Sequence, residues 1–486
     1  MNMIKSLILG SAAGIVALSG AQAADLPLKA KAVEYVKVCS LYGAGFYYIP
    51  GTDTCIKLGG YTRIDTSFNA SGAYDSPAWA GAAGQGNRLK NDYIGRARQD
   101  INIDTRTATE YGVVRTYFDA VFQWTTGTDG VARGSTGVYF AFIQFAGFTF
   151  GKAVSQFDSP WTAYPGNNTS FLLGGESNET GIQQIAYTAQ FGNGVSASVS
   201  LEDSSAYRQS ALANVGAVPG AGASVAGYFA GSLGTNSYAG TSIPDIVGQL
   251  RVDQAWGLFQ LSAAAHQIRA SYYTPTAEIS GHPGDEWGYA VQAALSLKNL
   301  PTGAGDSINV SAGYANGASR YIFSHGSPAN FVMYGDTSIG GAYQSIGVGI
   351  PADGVFAGTS ALTGTGIEKS TAWGIRGAFN HNWDPYWSSS LYGAYSSLSW
   401  GNGGKALICG GAVGCDPDFN VAQLGTVLRW TPVKGLTFSG EVLYSFLDQK
   451  MTGTAALPAN TTKPAGLYEA KDQGTWTFGV RAQRNF

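Results

Sequence analysis

The chain has 486 residues, of which 44% are hydrophobic, 13% aromatic and only 13% charged, with 68 glycines and a formal net charge of −3. Soluble domains carry about a quarter charged residues, so this surface faces something other than water, while a mean hydropathy of −0.02 excludes a bundle of greasy helices. The weak acidity argues against nucleic acid as a partner.

The chain opens with Met1-Asn2-Met3-Ile4-Lys5, an apolar run from Leu7 to Leu18, and Gly20-Ala21-Gln22-Ala23 before Ala24-Asp25. A base, a short apolar core and an Ala-x-Ala end predict a secretory leader over residues 1–23. Residues 24–53 then read as a periplasmic N-terminal segment ahead of the main body, 54–486. An exported chain with Cys39, Cys55, Cys409 and Cys415 predicts disulfides. Three pairings are open; proximity favours Cys39 with Cys55 and Cys409 with Cys415. A metal reading is poor, because neither spacing is Cys-x-x-Cys and His266, His282, His325 and His381 are scattered.

From residue 54 the chain alternates. Ile56, Leu58, Gly60, Thr62, Ile64, Thr66 and Phe68 share one parity, and Lys57, Gly59, Tyr61, Arg63, Asp65 and Ser67 the other. Successive strand side chains point to opposite faces, so one face is apolar and the other polar. The next stretch, 96–107, sets Arg96, Arg98, Asp100, Asn102, Asp104 and Arg106 against Ala97, Gln99, Ile101, Ile103 and Thr105. Six polar residues in strict alternation are hard to bury in a soluble sandwich. Further strands are expected near 112–124, 138–146, 148–155, 181–191, 194–203, 245–254, 257–269, 286–298, 306–321, 370–382, 387–399, 419–431, 436–448 and 474–486, about sixteen in all.

The connections alternate too. Short ones, such as Ala146-Gly147 and Gly192-Asn193, take turns with long ones over 69–95, 125–137, 156–180, 204–244, 270–285, 322–369, 400–418 and 449–473. Short periplasmic turns and long outer loops are the habit of outer-membrane β-barrels, which must close because hydrocarbon satisfies no backbone group. The expected fold is therefore all-β: a transmembrane antiparallel barrel of about sixteen strands, with both termini on the periplasmic side.

Lys57, Arg63, Arg96, Arg98, Arg106 and Arg115 fall on the polar face of the first three strands and predict a basic patch lining one inner wall. The loop 156–180 carries Asp158, Glu176 and Glu179 with Trp161, Tyr164, Phe171 and Leu172 as apolar anchors. Folded inward, it sets acids against bases across the narrowest section, the kind of charged ring that filters solutes. Left outside, it leaves the bases to pair with Asp65, Asp100, Asp104 and Asp119. The inward arrangement is the expectation.

Nothing in the sequence reads as catalytic. Gly147, Gly151 and Lys152 have the wrong spacing for a phosphate loop, and Ala153 stands where Ser or Thr is needed. There is no Gly-x-Ser-x-Gly and no His-Glu-x-x-His. No cofactor is expected.

The run from Val38 to Tyr61 is the most specific segment, with Val38-Cys39-Ser40-Leu41-Tyr42-Gly43 and Gly45-Phe46-Tyr47-Tyr48-Ile49-Pro50-Gly51 ahead of Cys55. With the terminal amphipathic strand ending in Phe486, it resembles the trimeric porins of Gram-negative outer membranes, most closely the alphaproteobacterial porin family. The resemblance covers about Ala24 to Phe486. It implies a homotrimer in outer-membrane lipid and lipopolysaccharide, a third long loop folded into the pore, and passive diffusion of small hydrophilic solutes and ions. The segment 156–180 lacks the Pro-Glu-Phe-Gly-Gly type of sequence of enterobacterial porins, so the shape of their eyelet does not transfer. Two other readings stay open at this point: a substrate-selective channel, and a barrel whose long loops act as adhesin or receptor.

Overall fold

The computed structural model describes residues 37–70, 81–159, 166, 172–175, 180–215, 225–230, 233, 236–323 and 331–486. The chain divides into two compact units, residues 1–56 and 57–486. The expected leader, 1–23, lies outside the described residues. In the first unit, Tyr47-Tyr48 pairs with Cys55-Ile56, and the Cys39–Cys55 disulfide ties the hairpin to the turn Ser40–Tyr42. Cys39, Phe46 and Cys55 form a small core. The second bridge joins Cys409 to Cys415, so both proximal pairings are present.

Sixteen strands make the barrel: β1 (Thr54–Phe68), β2 (Tyr93–Thr109), β3 (Gly112–Thr125), β4 (Ser135–Phe145), β5 (Phe148–Ala153), β6 (Ile182–Gly192), β7 (Val195–Glu202), β8 (Asp245–Gln254), β9 (Gly257–Ile268), β10 (Glu286–Lys298), β11 (Ser307–Asn316), β12 (Glu368–Asn382), β13 (Trp387–Trp400), β14 (Phe419–Val433), β15 (Leu436–Gln449) and β16 (Gln473–Asn485). Each pairs antiparallel with the next, and β16 returns to β1 from Phe68↔Phe478 to Tyr61↔Asn485. Closure leaves no edge to satisfy.

The faces follow the alternation in the sequence. In β1, Leu58, Ile64 and Phe68 are exposed outward while Gly59, Asp65 and Ser67 are buried inward. Outward aromatics gather at both rims, including Trp256, Trp387 and Trp430 at the short-turn end and Trp287, Trp373 and Trp476 at the other, as interfacial girdles do. The tightest turns demand a left-handed backbone. Ala146-Gly147 and Asn193-Gly194 hold both residues at positive φ, the twist that matches flanking strands in two-residue hairpins.

One expected strand, 306–321, runs too long. β11 stops at Asn316 because Gly317 turns at φ 64° and gives its N–H to the Ser370 carbonyl. Ser319–Tyr321 is then a 3-10 turn carrying Ile322 inward. The long loops also hold more structure than their polar composition suggests. Phe331–Gly335, Gln344–Gly349, Gly466–Ala470 and Thr454–Leu457 form a separate four-stranded sheet from two loops. Phe331, Met333, Ile346, Val348 and Tyr468 from that sheet join a buried apolar cluster with Phe323 and Phe419.

Candidate functional site: the inner face of the barrel

The inner faces of β1 to β3 and β16 carry guanidinium and carboxylate groups in unequal number. Asp65 has no solvent exposure and accepts from two arginines, Arg96 at 2.9 Å and Arg481 at 2.6 Å. Asp104 is likewise shared, by Arg106 at 2.9 Å and Arg115 at 3.0 Å. Arg63 donates to Gln483 at 2.8 Å and Arg98 to Gln123 at 2.9 Å, both neutral acceptors. A glutamine holds a guanidinium in place without cancelling its charge. Thus, among the described residues, Arg63, Arg96, Arg98, Arg106, Arg115 and Arg481 share the inner faces of these strands with only Asp65, Asp100, Asp104 and Asp119. Lys57 is exposed near the start of β1.

A bulge shapes this wall. Asp119 pairs with Phe140 but Ala120 with Val138, which leaves Tyr139 as an extra residue. Its ring lies 5.5 Å from the Arg98 guanidinium, a cation–π contact that the regular register would not provide.

The opposite wall receives the loop between β5 and β6. Its first described stretch, Ser155–Ser159, is buried at all but one position and is held by glutamines of β6, β8, β9 and β10 and by Glu202 of β7, which accepts from the Ser155 hydroxyl at 2.6 Å and the Gln156 N–H at 2.8 Å. Gln184 in β6 donates to the Ala153 and Val154 carbonyls, Gln249 in β8 to Gln156, and Gln260 in β9 to Asp158 at 2.9 Å. Gln292 in β10 reaches Phe157 at 3.3 Å. Further along, Gln423 in β14 accepts from the Leu173 N–H at 2.8 Å and Arg376 in β12 donates to the Leu172 carbonyl. Leu172 itself packs among Ala378, Tyr392, Val427 and Leu443. Gly174 lies so close to the wall that a Cβ would stand 2.7 Å from the Ile375 carbonyl oxygen. The third long loop therefore enters the barrel, and amide side chains receive its backbone.

The acids expected on this loop fare differently. Glu176 and Glu179 lie outside the described residues, as do Trp161, Tyr164 and Phe171. Asp158 is 1% exposed and pairs with Arg208 at 2.6 Å, so it does not face the arginine wall across open solvent. Burial alone would lower the Arg208 guanidinium, but Asp158, followed by the Tyr321 and Tyr207 rings, raises it above its ordinary value. It stays charged. Tyr321 is pushed well above the usual phenol range, first by burial and then by Asp245.

Sequence reasoning missed the glutamines, Arg208, Arg376 and Arg481. The signal was present: Gln249, Gln260, Gln292 and Gln423 each take the inward parity amid Ala, Gly and Ser. A long amide at such a position has to meet something.

Comparison with known proteins agrees with this architecture. Residues 25–479 match the model of a porin subfamily. Porin Omp2b of Brucella abortus (strain 2308) is 35% identical over 265 residues, covering 52% of this chain and 63% of that protein. Porin Omp2b of Brucella melitensis is 35% identical over the same span. The match thus spans less than two thirds of the length of these relatives. The outer membrane channel DcaP of Acinetobacter baumannii shares the fold, with a TM-score of 0.59 and 15% identity over 90% of this chain and 99% of that one. Family and fold together make the chain an outer-membrane β-barrel that belongs to the porin subfamily.

Proposed function

We propose that the protein is a passive channel: a water-filled lumen through which small hydrophilic solutes and ions cross the outer membrane down their gradients, with no chemical step of its own. The observation that carries this reading is the closed sixteen-strand barrel with a polar inner face, since sixteen strands leave an aqueous interior rather than a filled one. The leader 1–23 is cleaved in this reading, residues 24–53 stay periplasmic, and the channel assembles as a homotrimer among outer-membrane lipids and lipopolysaccharide.

The charge pattern extends the proposal. Arg63, Arg96, Arg98, Arg106 and Arg115 line the lumen and outnumber their carboxylates, so the pore favours anions. Lys57 joins them at the periplasmic mouth. Asp158 is engaged by Arg208 and so does not count toward the acidic side of the constriction. Solute flux into proteoliposomes tests the reading. Uptake linear in concentration for many small sugars supports it; saturation for a single solute replaces it with a substrate-selective channel.

A further inference from the structure

Arg208 lies in the loop between β7 and β8, in a turn where its N–H bonds the Ser204 carbonyl at 2.8 Å. Its side chain has no solvent exposure. The guanidinium holds Asp158 at 2.6 Å and stacks 4.6 Å from the Tyr321 ring, 4.9 Å from Tyr207 and 5.8 Å from Phe157. Its Nε and Nη1 have no hydrogen-bond partner among the described residues. An ion pair this dry, with donors unused, is a poor source of stability, because removing the charges from water cancels much of their attraction. Its better-attested use is to specify one arrangement among several.

The arrangement at issue is the register of the inward loop. The glutamines of β6 and β8 to β10 grip backbone carbonyls. Every residue has such a carbonyl, so a slip of the loop along the wall would offer those amides equivalent partners. A carboxylate is not interchangeable in this way. The Ser155 hydroxyl bonds Glu202 of β7 at 2.6 Å, but Ser159 carries the same group; Asp158 alone in the stretch Ser155–Ser159 presents a charge, and Arg208 donates to it at one place only.

Arg208 is itself fixed from behind. Tyr321 donates to Asp245 in β8 at 2.6 Å. Asp353 accepts from the Ser319 N–H and hydroxyl at 2.7 and 2.9 Å, from the Ser210 N–H at 2.9 Å and from the Tyr238 hydroxyl at 2.8 Å. The segments flanking Arg208 are thus tied to each other and to the wall.

We propose that Arg208 is a positioning residue that sets where the stretch 155–159 stands in the lumen, and so fixes the limiting section of the pore and its size discrimination. This rests on the channel reading above. The test uses full-length Arg208→Met and Asp158→Asn in planar bilayers, with flux of sugars of graded size into proteoliposomes. Each variant is expected to insert as channels whose unitary conductance leaves the wild-type distribution, with several levels and excess current noise, and whose size cutoff shifts. Arg208→Lys, which keeps the charge but not the planar stacking, is expected to fall between.

A merely structural role lowers the yield of channels but leaves the conductance of each unchanged. If Arg208→Met does not assemble, Asp158→Asn, which keeps side-chain volume and an acceptor for Nη2, carries the test. Single-level channels with wild-type size discrimination in Asp158→Asn and in every Arg208 variant that assembles overturn the proposal. Silence of the wild type rejects the channel reading instead. The positioning role is then read by hydrogen exchange at amides 155–159, which speeds in the variants if Arg208 holds the loop and is unchanged if it does not.

Discussion

Asp65 shows how charge is handled inside this barrel. A carboxylate without solvent exposure lies between Arg96 and Arg481, and removing one member of such a set strands the others. Asp65→Asn is expected to lower the unfolding free energy by about 3 kcal/mol, read as an earlier denaturant midpoint. In the proposed channel the same arginines also bear on permeation. Arg98→Gln removes a cation held by a neutral glutamine, so the reversal potential under a salt gradient should move toward cation preference. Arg96→Gln also removes one positive charge and leaves Asp65 balanced by Arg481, so it should move the potential in the same direction. Equal reversal potentials in wild type and Arg98→Gln would contradict the assigned lumenal charge. Outside the membrane, Glu469 gives a pH signature. Hydrogen bonds from the Ser338 and Thr337 hydroxyls and the Ser338 N–H hold its carboxyl down at about 2. A depressed carboxyl stabilises the fold above its ordinary pKa and loses that effect on acidification. Protection of the Ser338 amide from hydrogen exchange should therefore fall between about pH 4.5 and 2, and Glu469→Gln should abolish that pH dependence.

Among the elements, strands and loops differ in what their sequences reveal. A strand in this barrel has one neighbour on each side and two chemically distinct faces, so parity alone places Ile64 outward and Asp65 inward. The loops have no such period. Stretches 322–369 and 449–473 read as polar connection, yet Phe331, Met333, Ile346 and Tyr468 bury one another in a sheet whose strands come from both. Pairings between distant loops leave no trace in local composition. The inward loop was legible only as a charge pattern, because its anchors are glutamines far away in the chain. Gln260→Leu removes the donor shared by the Phe157 and Asp158 carbonyls and puts an apolar side chain against them. It should cost about 1–3 kcal/mol and expose the loop to protease while the barrel stays folded. The loop with helix Asn402–Cys409 is closed by its own bridge to Cys415. Reducing that bridge should free the loop tip to proteolysis without changing unitary conductance.

For the whole molecule, closure explains composition and function together. With β16 paired to β1, every strand satisfies its backbone, the outer face can be apolar, and charge is needed only inside and at the rims. That accounts for the 13% charged content without a greasy hydropathy. It also separates two tasks: β6 to β14 hold the inward loop, while β1 to β3 and β16 present the arginines. The measurement that bears most directly on this account is single-channel recording of the purified, folded protein in a planar bilayer under a salt gradient. The account predicts stepwise, ohmic conductance with a reversal potential favouring anions. Folded protein that produces no steps, or whose steps favour cations, would contradict it.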